Sequence, residues 1–109
     1  KDETTSDKPQ SDYVKQLGLT LSTLTKDIRM SQNIPDNVSG LLVTKVDQNT
    51  DAEIKGIRPG DIIQEINQTT ISDVNSFKDI IVALKGSKRN VLLLINRQGN
   101  INFVALKLD

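Results

Sequence analysis

The apolar residues of this chain are grouped in short segments, and their spacing predicts strands near both ends of the sequence. In residues 17–24, LGLTLSTL, Leu19 and Leu21 alternate with Thr20 and Ser22, which is the two-residue period of a half-buried strand. Later segments rich in aliphatic and β-branched residues predict further strands. These segments cover residues 40–47, 61–67, 91–96 and 101–108, and the last two form a hairpin around Gln98-Gly99-Asn100.

Two short helical segments lie between these strands. Residues 26 to about 32 follow Thr25, whose side chain can cap a helix, and they end before a proline. A single helical turn begins at Asn49 or Thr50 and closes at Gly56, because glycine readily adopts the left-handed conformation that ends many helices.

The longest helix is predicted over residues 74–85. Ser72 or Asp73 supplies its N-terminal cap, and Gly86 lies just past its end. Strands, one long helix and then further strands indicate an α+β fold. We expect a small, partly open β-barrel or sandwich of about five to six strands, with one main helix and short helices.

The apolar positions of the main helix cover an arc of roughly 180°, whereas a helix that only covers a core needs about 100°. Two interpretations stay open. Either the helix is deeply buried over the whole arc, or Ile80 and Ala83 face the core while Phe77, Ile81 and part of Leu84 line a groove. The helical wheel alone favours burial.

Composition narrows the chemistry of the chain. Its 109 residues correspond to one domain, and fourteen basic residues balance fourteen acidic ones. Histidine and cysteine are both absent, which excludes histidine-dependent nucleophilic catalysis and the usual zinc sites. We therefore expect no enzymatic activity, metal or cofactor in this chain. The balanced charge and the short apolar segments also favour neither a nucleic acid nor a membrane as a partner.

The amino-terminal residues differ in composition from the rest of the chain. Residues 1–12, KDETTSDKPQSD, contain no large apolar side chain, so burial cannot offset the entropy lost when they order. We predict a disordered linker over residues 1–12 and one domain over residues 13–109. Because the sequence begins without an apolar targeting segment, we expect a mature product or an excised fragment of a longer protein.

Residues 56–67, GIRPGDIIQEIN, combine a tight turn with the start of a strand. Pro59 sets the backbone for the second position of the turn, and Gly60 supplies the positive φ that a type II turn needs next. Asp61 follows at a position where its carboxylate can accept hydrogen bonds from turn amides. The whole pattern of turn and strand is a more specific sequence signal than any single residue in it.

GIRPGDIIQEIN resembles the signature turn and strand of PDZ domains. The strand GLLVTKV precedes it at the usual distance, and Leu17-Gly18-Leu19 lies where the family has its carboxylate-binding loop. No good strand precedes Leu17, while a complete strand ends the chain, as in the circularly permuted prokaryotic members. The ending RQGNINFVALKL is similar to that of the second PDZ domain of Do-like, HtrA-type periplasmic serine proteases.

The resemblance implies a peptide-binding groove, in which an extended peptide adds to a sheet edge while loop amides hold its terminal carboxylate. It assigns the carboxylate loop to Leu17, Gly18 and Leu19. It assigns the strand that pairs with the peptide to Thr20, Leu21, Ser22 and Thr23. It assigns the apolar pocket to Leu19, Leu21, Phe77, Ile81 and Leu84. The alternative is plain core for the five pocket side chains and an ordinary strand bulge for Gly18.

Three departures from the family pattern bear on this assignment. Asn67-Gln68 replaces the usual Asn-Gly after the third strand. Glu53 and Ile54 stand in the segment before the signature turn, where the family usually has a cluster of small residues. Phe77 occupies a helix position that is often histidine in eukaryotic domains that choose Ser or Thr in their ligands. We therefore do not expect the groove to select a hydroxyl group.

Two functions follow from the resemblance. In the first, the chain is a module of a periplasmic serine endopeptidase and chaperone, and it binds unfolded or apolar carboxyl-terminal peptides for substrate capture or regulation. In the second, it is an assembly module that contacts other domains and protomers of the protease and retains only a vestigial groove. In both cases, the resemblance places the catalytic residues of the parent protein upstream of Lys1.

Backbone dynamics test the predicted linker. Order parameters of residues 2–10 should fall below about 0.8, because rigid backbone has values near 0.85. Nitrogen-15 relaxation measures these values together with those of the predicted strands, which serve as the internal reference. Order parameters above about 0.8 throughout residues 2–10 would refute the linker.

Overall fold

The computed structural model describes residues 11–84 and 90–107, which form strands and helices in alternation. In chain order, the elements are β1 (Ser11–Val14), β2 (Leu19–Thr23), α1 (Lys26–Gln32), β3 (Leu41–Val46), α2 (Asp51–Ile54), β4 (Ile62–Ile66), β5 (Thr69–Thr70), α3 (Val74–Leu84), β6 (Asn90–Arg97) and β7 (Asn100–Lys107).

The strands of the described residues form one antiparallel sheet in the order β1-β2-β3-β4-β6-β7, with β5 paired to β4. The predicted fold class, a partly open sheet with one main helix, is confirmed. The closing strand expected after β6 is present as β7. Strands β1 and β5 were not predicted from the sequence, and the expectation that no good strand precedes Leu17 is wrong.

Strand β1 also changes the boundary of the predicted linker. Ser11 and Asp12, assigned above to the linker, pair with Ser22 and Leu21 of β2. Their backbone groups gain hydrogen-bonding partners there, which a composition argument based on side chains does not consider. Residues 1–10 lie outside the described residues, as do 85–89 and 108–109 at the ends of the predicted main helix and last strand.

The core is aliphatic and surrounds one aromatic ring, that of Phe77. Helix α3 contacts β1 and β2 and buries Val74, Phe77 and Ile81. Within the two described ranges, every buried side-chain nitrogen or oxygen has a hydrogen-bond partner. The largest fully buried side chains are Phe77, Leu19, Leu21, Leu41, Ile63, Ile66, Ile81, Leu93, Leu106, Val14, Val43 and Val91.

The predicted ends of the two short helices are confirmed. The Thr25 hydroxyl accepts a hydrogen bond from the Ile28 amide at 3.2 Å and caps α1. This helix ends at Gln32 and is capped by Asn33, whose φ of 57° is left-handed. Thr50 caps α2 in the same manner, and Gly56 follows with a φ of +93°.

The signature turn takes the predicted shape. The Asp61 amide donates to the Arg58 carbonyl at 3.1 Å, and Gly60 has a φ of +101°. The Asp61 carboxylate accepts from the Arg58 amide at 3.0 Å, as expected, and also from Nε and Nη2 of Arg97, both at 2.7 Å. The hydrogen bonds from Arg97 to Asp61, together with the negative charge of Asp61, raise the pKa of Arg97. The charged pair connects the turn to the end of β6.

Gly40 and Gly60 both have positive φ, but only one of them is also sterically confined. A Cβ at Gly40 (φ +141°) would lie 2.3 Å from the Ile63 carbonyl oxygen, whereas a Cβ at Gly60 (φ +101°) meets nothing within 4 Å. Gly60→Ala therefore introduces backbone strain alone, which costs about 1–3 kcal/mol. Gly40→Ala should cost clearly more, because the backbone of β4 has to move.

Chemical denaturation of the two alanine variants and the parent chain measures this difference. Equal losses in the free energy of unfolding would contradict the close approach of Gly40 to β4. An unchanged free energy in Gly60→Ala would contradict the positive φ of the turn.

Candidate functional site

Strand β2 has a neighbour on both sides. On one side it pairs with β3, and on the other side with β1, antiparallel, in a register that joins Val14 to Leu19 and Tyr13 to Thr20. The edge that the resemblance assigned to an added peptide is thus paired with the chain's own residues 11–14. Thr20, Leu21 and Ser22 have partners in β1, and Thr23 lies beyond the end of that register.

The predicted carboxylate loop is the turn that connects β1 to β2. The amides of Leu17 and Gly18 both donate to the Val14 carbonyl oxygen, at 3.1 and 2.9 Å. Gly18 has a φ of +70° and lies in the turn, so it is not part of a strand bulge. A Cβ there would also approach Thr50 Cγ2 to 2.6 Å. Two neighbouring N–H groups therefore converge on one oxygen, in the arrangement that holds an anion.

The predicted pocket side chains belong to the same buried cluster as one side chain of β1. Val14 is 1% exposed and belongs to the same core cluster as the predicted pocket. Of the five predicted side chains, Leu19, Leu21, Phe77 and Ile81 are buried, and Leu84 packs against the cluster partly buried. Because Val14 is buried among them, the predicted pocket and the core are continuous in this structure.

The family model described as "PDZ domain" matches residues 7–96 of the chain. The chain belongs to the PDZ domain family. This range includes the β1–β2 turn, the signature turn and α3, and it leaves out β7. The chain is a PDZ domain and not a catalytic domain.

Curated relatives of this PDZ domain are proteases of the HtrA type. The probable periplasmic serine endoprotease DegP-like of Rickettsia conorii is 31% identical over 108 residues, which is 98% of this chain and 20% of that protein. The protein of the same name from Bartonella henselae is 36% identical over 91% of this chain and 20% of its own length. The mitochondrial serine protease HTRA2 of Drosophila erecta is 35% identical over 76% of this chain. The PDZ domain spans about a fifth of these relatives.

Solved structures share the fold. The HtrA3 PDZ domain bound to a phage-derived ligand, FGRWV, has a TM-score of 0.71 at 20% identity and covers 93% of this chain and 86% of that one. The HtrA-type protease AlgW with a decapeptide has a TM-score of 0.68 at 23% identity and covers 93% of this chain and 29% of that one. At these identities, the likeness concerns the fold alone.

Polar side chains hold β1 of this PDZ domain from two sides. Lys78 Nζ on α3 lies 2.8 Å from Asp12 Oδ2, and the Tyr13 hydroxyl donates to the carboxylate of Asp47, the residue just after β3. The hydrogen bond from Lys78, followed by that from the Tyr13 amide, lowers the pKa of Asp12. The hydrogen bond to Asp47 raises the pKa of Tyr13. Because successive side chains of a strand point to opposite faces, Asp12 and Val14 share the face towards α3.

The exposure of α3 decides between the two interpretations of its apolar arc. The buried residues are Val74, Phe77 and Ile81, while Ile80 is half-buried and Ala83 is exposed. The interpretation in which Ala83 faces the core is wrong, because the helix is rotated so that Phe77 and Ile81 point inward. The helical wheel favoured burial of the apolar arc, and this interpretation holds for Val74, Phe77 and Ile81.

The residues of β1 beside the predicted groove, and those that contact β1, were not predicted from the sequence; they are Asp12, Tyr13, Val14, Asp47 and Lys78. The available signal was small: Val14 is the first aliphatic residue of the chain, and it follows an aromatic one. Within residues 11–84 and 90–107, no helix is long and apolar enough to cross a membrane. No group of three acidic side chains in the same ranges is arranged to hold a metal ion.

The burial of Phe77 predicts the effect of truncating it. Phe77 is 0% exposed, so Phe77→Ala should lower the free energy of unfolding by about 3–5 kcal/mol. Val82 lies on the same helix and is 60% exposed, so Val82→Ala should change it by no more than about 0.5 kcal/mol. Thermal or chemical unfolding compares the two variants. A Phe77→Ala chain as stable as Val82→Ala would show that the ring lines an open groove.

Proposed function

We propose that this PDZ domain binds peptides with a free, apolar carboxyl terminus by β-strand addition to β2, in the place that β1 occupies. The observation that carries the proposal is the way β1 is held. It runs antiparallel to β2, buries its last residue Val14 in the predicted pocket, and directs the Val14 carbonyl to the amides of Leu17 and Gly18. A peptide ending at the same register would make the same contacts.

A peptide would make one stronger contact with the loop than β1 does, through its terminal carboxylate. The Val14 carbonyl is a neutral acceptor, whereas the terminal carboxylate of a peptide is charged. Hydrogen bonds to a charged acceptor are roughly twice as strong as those between neutral groups. The peptide would thus exchange the pairing of β1 for equivalent pairing and gain a charged contact with the two loop amides.

In competition with a peptide, β1 is favoured because it is covalently connected to β2. Its connection to β2 through residues 15–18 keeps it close to the groove at a high effective concentration. The apparent affinity for a peptide falls by the fraction of molecules in which β1 is displaced. We therefore expect dissociation constants on the order of 10–100 µM or weaker.

The solved neighbours support this proposal. The ligand of the HtrA3 PDZ domain, FGRWV, ends in an aromatic residue followed by valine. Strand β1, SDYV, also ends in an aromatic residue followed by valine. The same order of side chains thus occurs in a bound peptide of a related fold and in the segment that occupies the groove here.

For the parent protein, we propose a serine endoprotease of the periplasm. This proposal is supported by relatives named as probable periplasmic serine endoproteases, of which the PDZ domain spans about a fifth. In such a protein, the domain would capture substrates or regulate the protease, and the catalytic residues would lie outside this chain.

Assembly of protease protomers is the second candidate function, and the occupied groove favours it. If β1 stays in place, the groove is vestigial. The edge strand β7 then offers an apolar contact, because Ile101 and Phe103 are 50% and 60% exposed. Peptide binding separates this candidate from the first.

A peptide titration of the full chain tests the proposed function. The peptide Ser-Asp-Tyr-Val with a free carboxyl terminus should shift the amide signals of Leu17 and Gly18 and the methyl signals of Leu21 and Ile81. Amidation of its terminus should weaken binding several-fold, because the loop amides lose a charged acceptor. Nuclear magnetic resonance with a labelled chain and unlabelled peptide measures both effects.

Two chain variants control for the competition by β1. Val14→Thr places a hydroxyl among apolar side chains, so β1 should bind less well and the peptide several-fold more tightly. Lys15→Ala changes an exposed residue of the same turn and should leave the affinity unchanged. If the peptide binds neither the parent chain nor Val14→Thr, the proposed function fails and the assembly candidate is favoured.

A further inference from the structure

The contacts of β1 also indicate which peptides the groove prefers. Val14 corresponds to the last residue of a ligand, Tyr13 to the one before it, and Asp12 to the third from the end. The Asp12 carboxylate lies 2.8 Å from Lys78 Nζ on α3. We infer that the groove selects carboxyl-terminal peptides with an acidic residue at the third position from the end, an inference that rests on the proposed function.

The position of Lys78 restricts this preference to a single residue of the ligand. Lys78 directly follows Phe77 in α3, so the cation and the apolar pocket belong to the same turn of the helix. In an extended ligand, the last and third-last side chains lie on the same face of the strand. A peptide that places its last side chain in the pocket therefore brings its third-last side chain to Lys78, as β1 does with Asp12.

The opposite face of the groove disfavours an acidic residue one position later. The Tyr13 side chain reaches the Asp47 carboxylate, to which its hydroxyl donates a hydrogen bond. An acidic side chain at this second-last position would meet the negative charge of Asp47 instead. The two faces together predict that the position of the acidic residue matters, and not only the charge of the peptide.

The expected selectivity is modest. The side chains of Lys78 and Asp12 are 39% and 45% exposed, and ion pairs with such exposure contribute little because water and salt screen them. An acidic residue at the third-last position should therefore tighten binding about two- to fivefold relative to alanine. The difference should diminish as the salt concentration rises.

Four peptides with free carboxyl termini test the inference on the full chain and on its Val14→Thr variant. Ser-Asp-Tyr-Val should bind most tightly, Ser-Ala-Tyr-Val less tightly and Ser-Lys-Tyr-Val least tightly. Ser-Tyr-Asp-Val has the same composition and charge as the first peptide and should bind more weakly than it does. Chemical-shift titration gives the four affinities under identical conditions.

A charge reversal on the helix provides the matched control. In Lys78→Glu, the ratio of the affinities for Ser-Lys-Tyr-Val and Ser-Asp-Tyr-Val should invert. Absolute affinities should rise for Ser-Lys-Tyr-Val and Ser-Ala-Tyr-Val, since the reversed charge repels Asp12 and loosens β1, whereas for Ser-Asp-Tyr-Val the same repulsion acts on the peptide and offsets this gain. The ratio within one variant is independent of the loosening of β1, so an inverted ratio reports on the direct contact alone.

The outcomes separate the inference from the proposed function. Equal binding of the Asp, Ala and Lys peptides, or of the two isomeric peptides, overturns the inference and leaves the proposed function standing. An unchanged ratio in Lys78→Glu also overturns it. If none of the four peptides binds either the full chain or Val14→Thr, both the inference and the proposed function are overturned.

Discussion

The outer edge of β2 has to be paired, and the arrangement of the groove depends on this requirement. Leu19, Leu21 and Ser22 are buried, so the backbone amides and carbonyls of β2 have little access to water. Each buried polar group left without a partner costs about 1–3 kcal/mol. Strand β1 provides this pairing in the present structure. Under the proposed function, a ligand that displaces it would have to provide the same pairing, which an extended peptide can do.

The burial of β1 is concentrated at its last residue. Val14 is 1% exposed, whereas Tyr13 is 47% exposed and Ser11 is exposed as well. Hydrophobic stabilisation follows the apolar area removed from water, so most of the side-chain contribution of β1 comes from Val14. The ion pair of Asp12 with Lys78 is too exposed to add much to stability, although in the proposed binding mode Lys78 would distinguish one ligand from another. Under the proposed function, affinity and selectivity would therefore depend on different residues.

The sequence predicted the elements whose signals are local. The signature turn contains Pro59 and Gly60, whose backbone preferences determine its shape, and the β6–β7 hairpin contains Gly99 at a φ of +93°. Strand β1 has no such local signal, because four residues with a single buried side chain show no periodicity. Its pairing with β2 comes from tertiary contacts. For the same reason, the resemblance identified the residues of the pocket but not the segment that occupies it, and Lys78 was indistinguishable from other helical lysines.

The wide apolar arc of α3 also has a tertiary cause. A helix that covers one strand needs a narrow apolar stripe, but α3 contacts both β1 and β2. Phe77 and Ile81 of this helix are buried, while Ile80 and Leu84 are half-buried. The width of the arc thus reflects a helix that packs against a strand and against the occupant of the groove beside it. Since a ligand in the place of β1 would present its own last side chain to the same helix face, the apolar arc suits either occupant. Lys78, which directly follows Phe77, pairs with Asp12 of β1, and in the proposed binding mode it would make the same contact with an acidic side chain of a ligand.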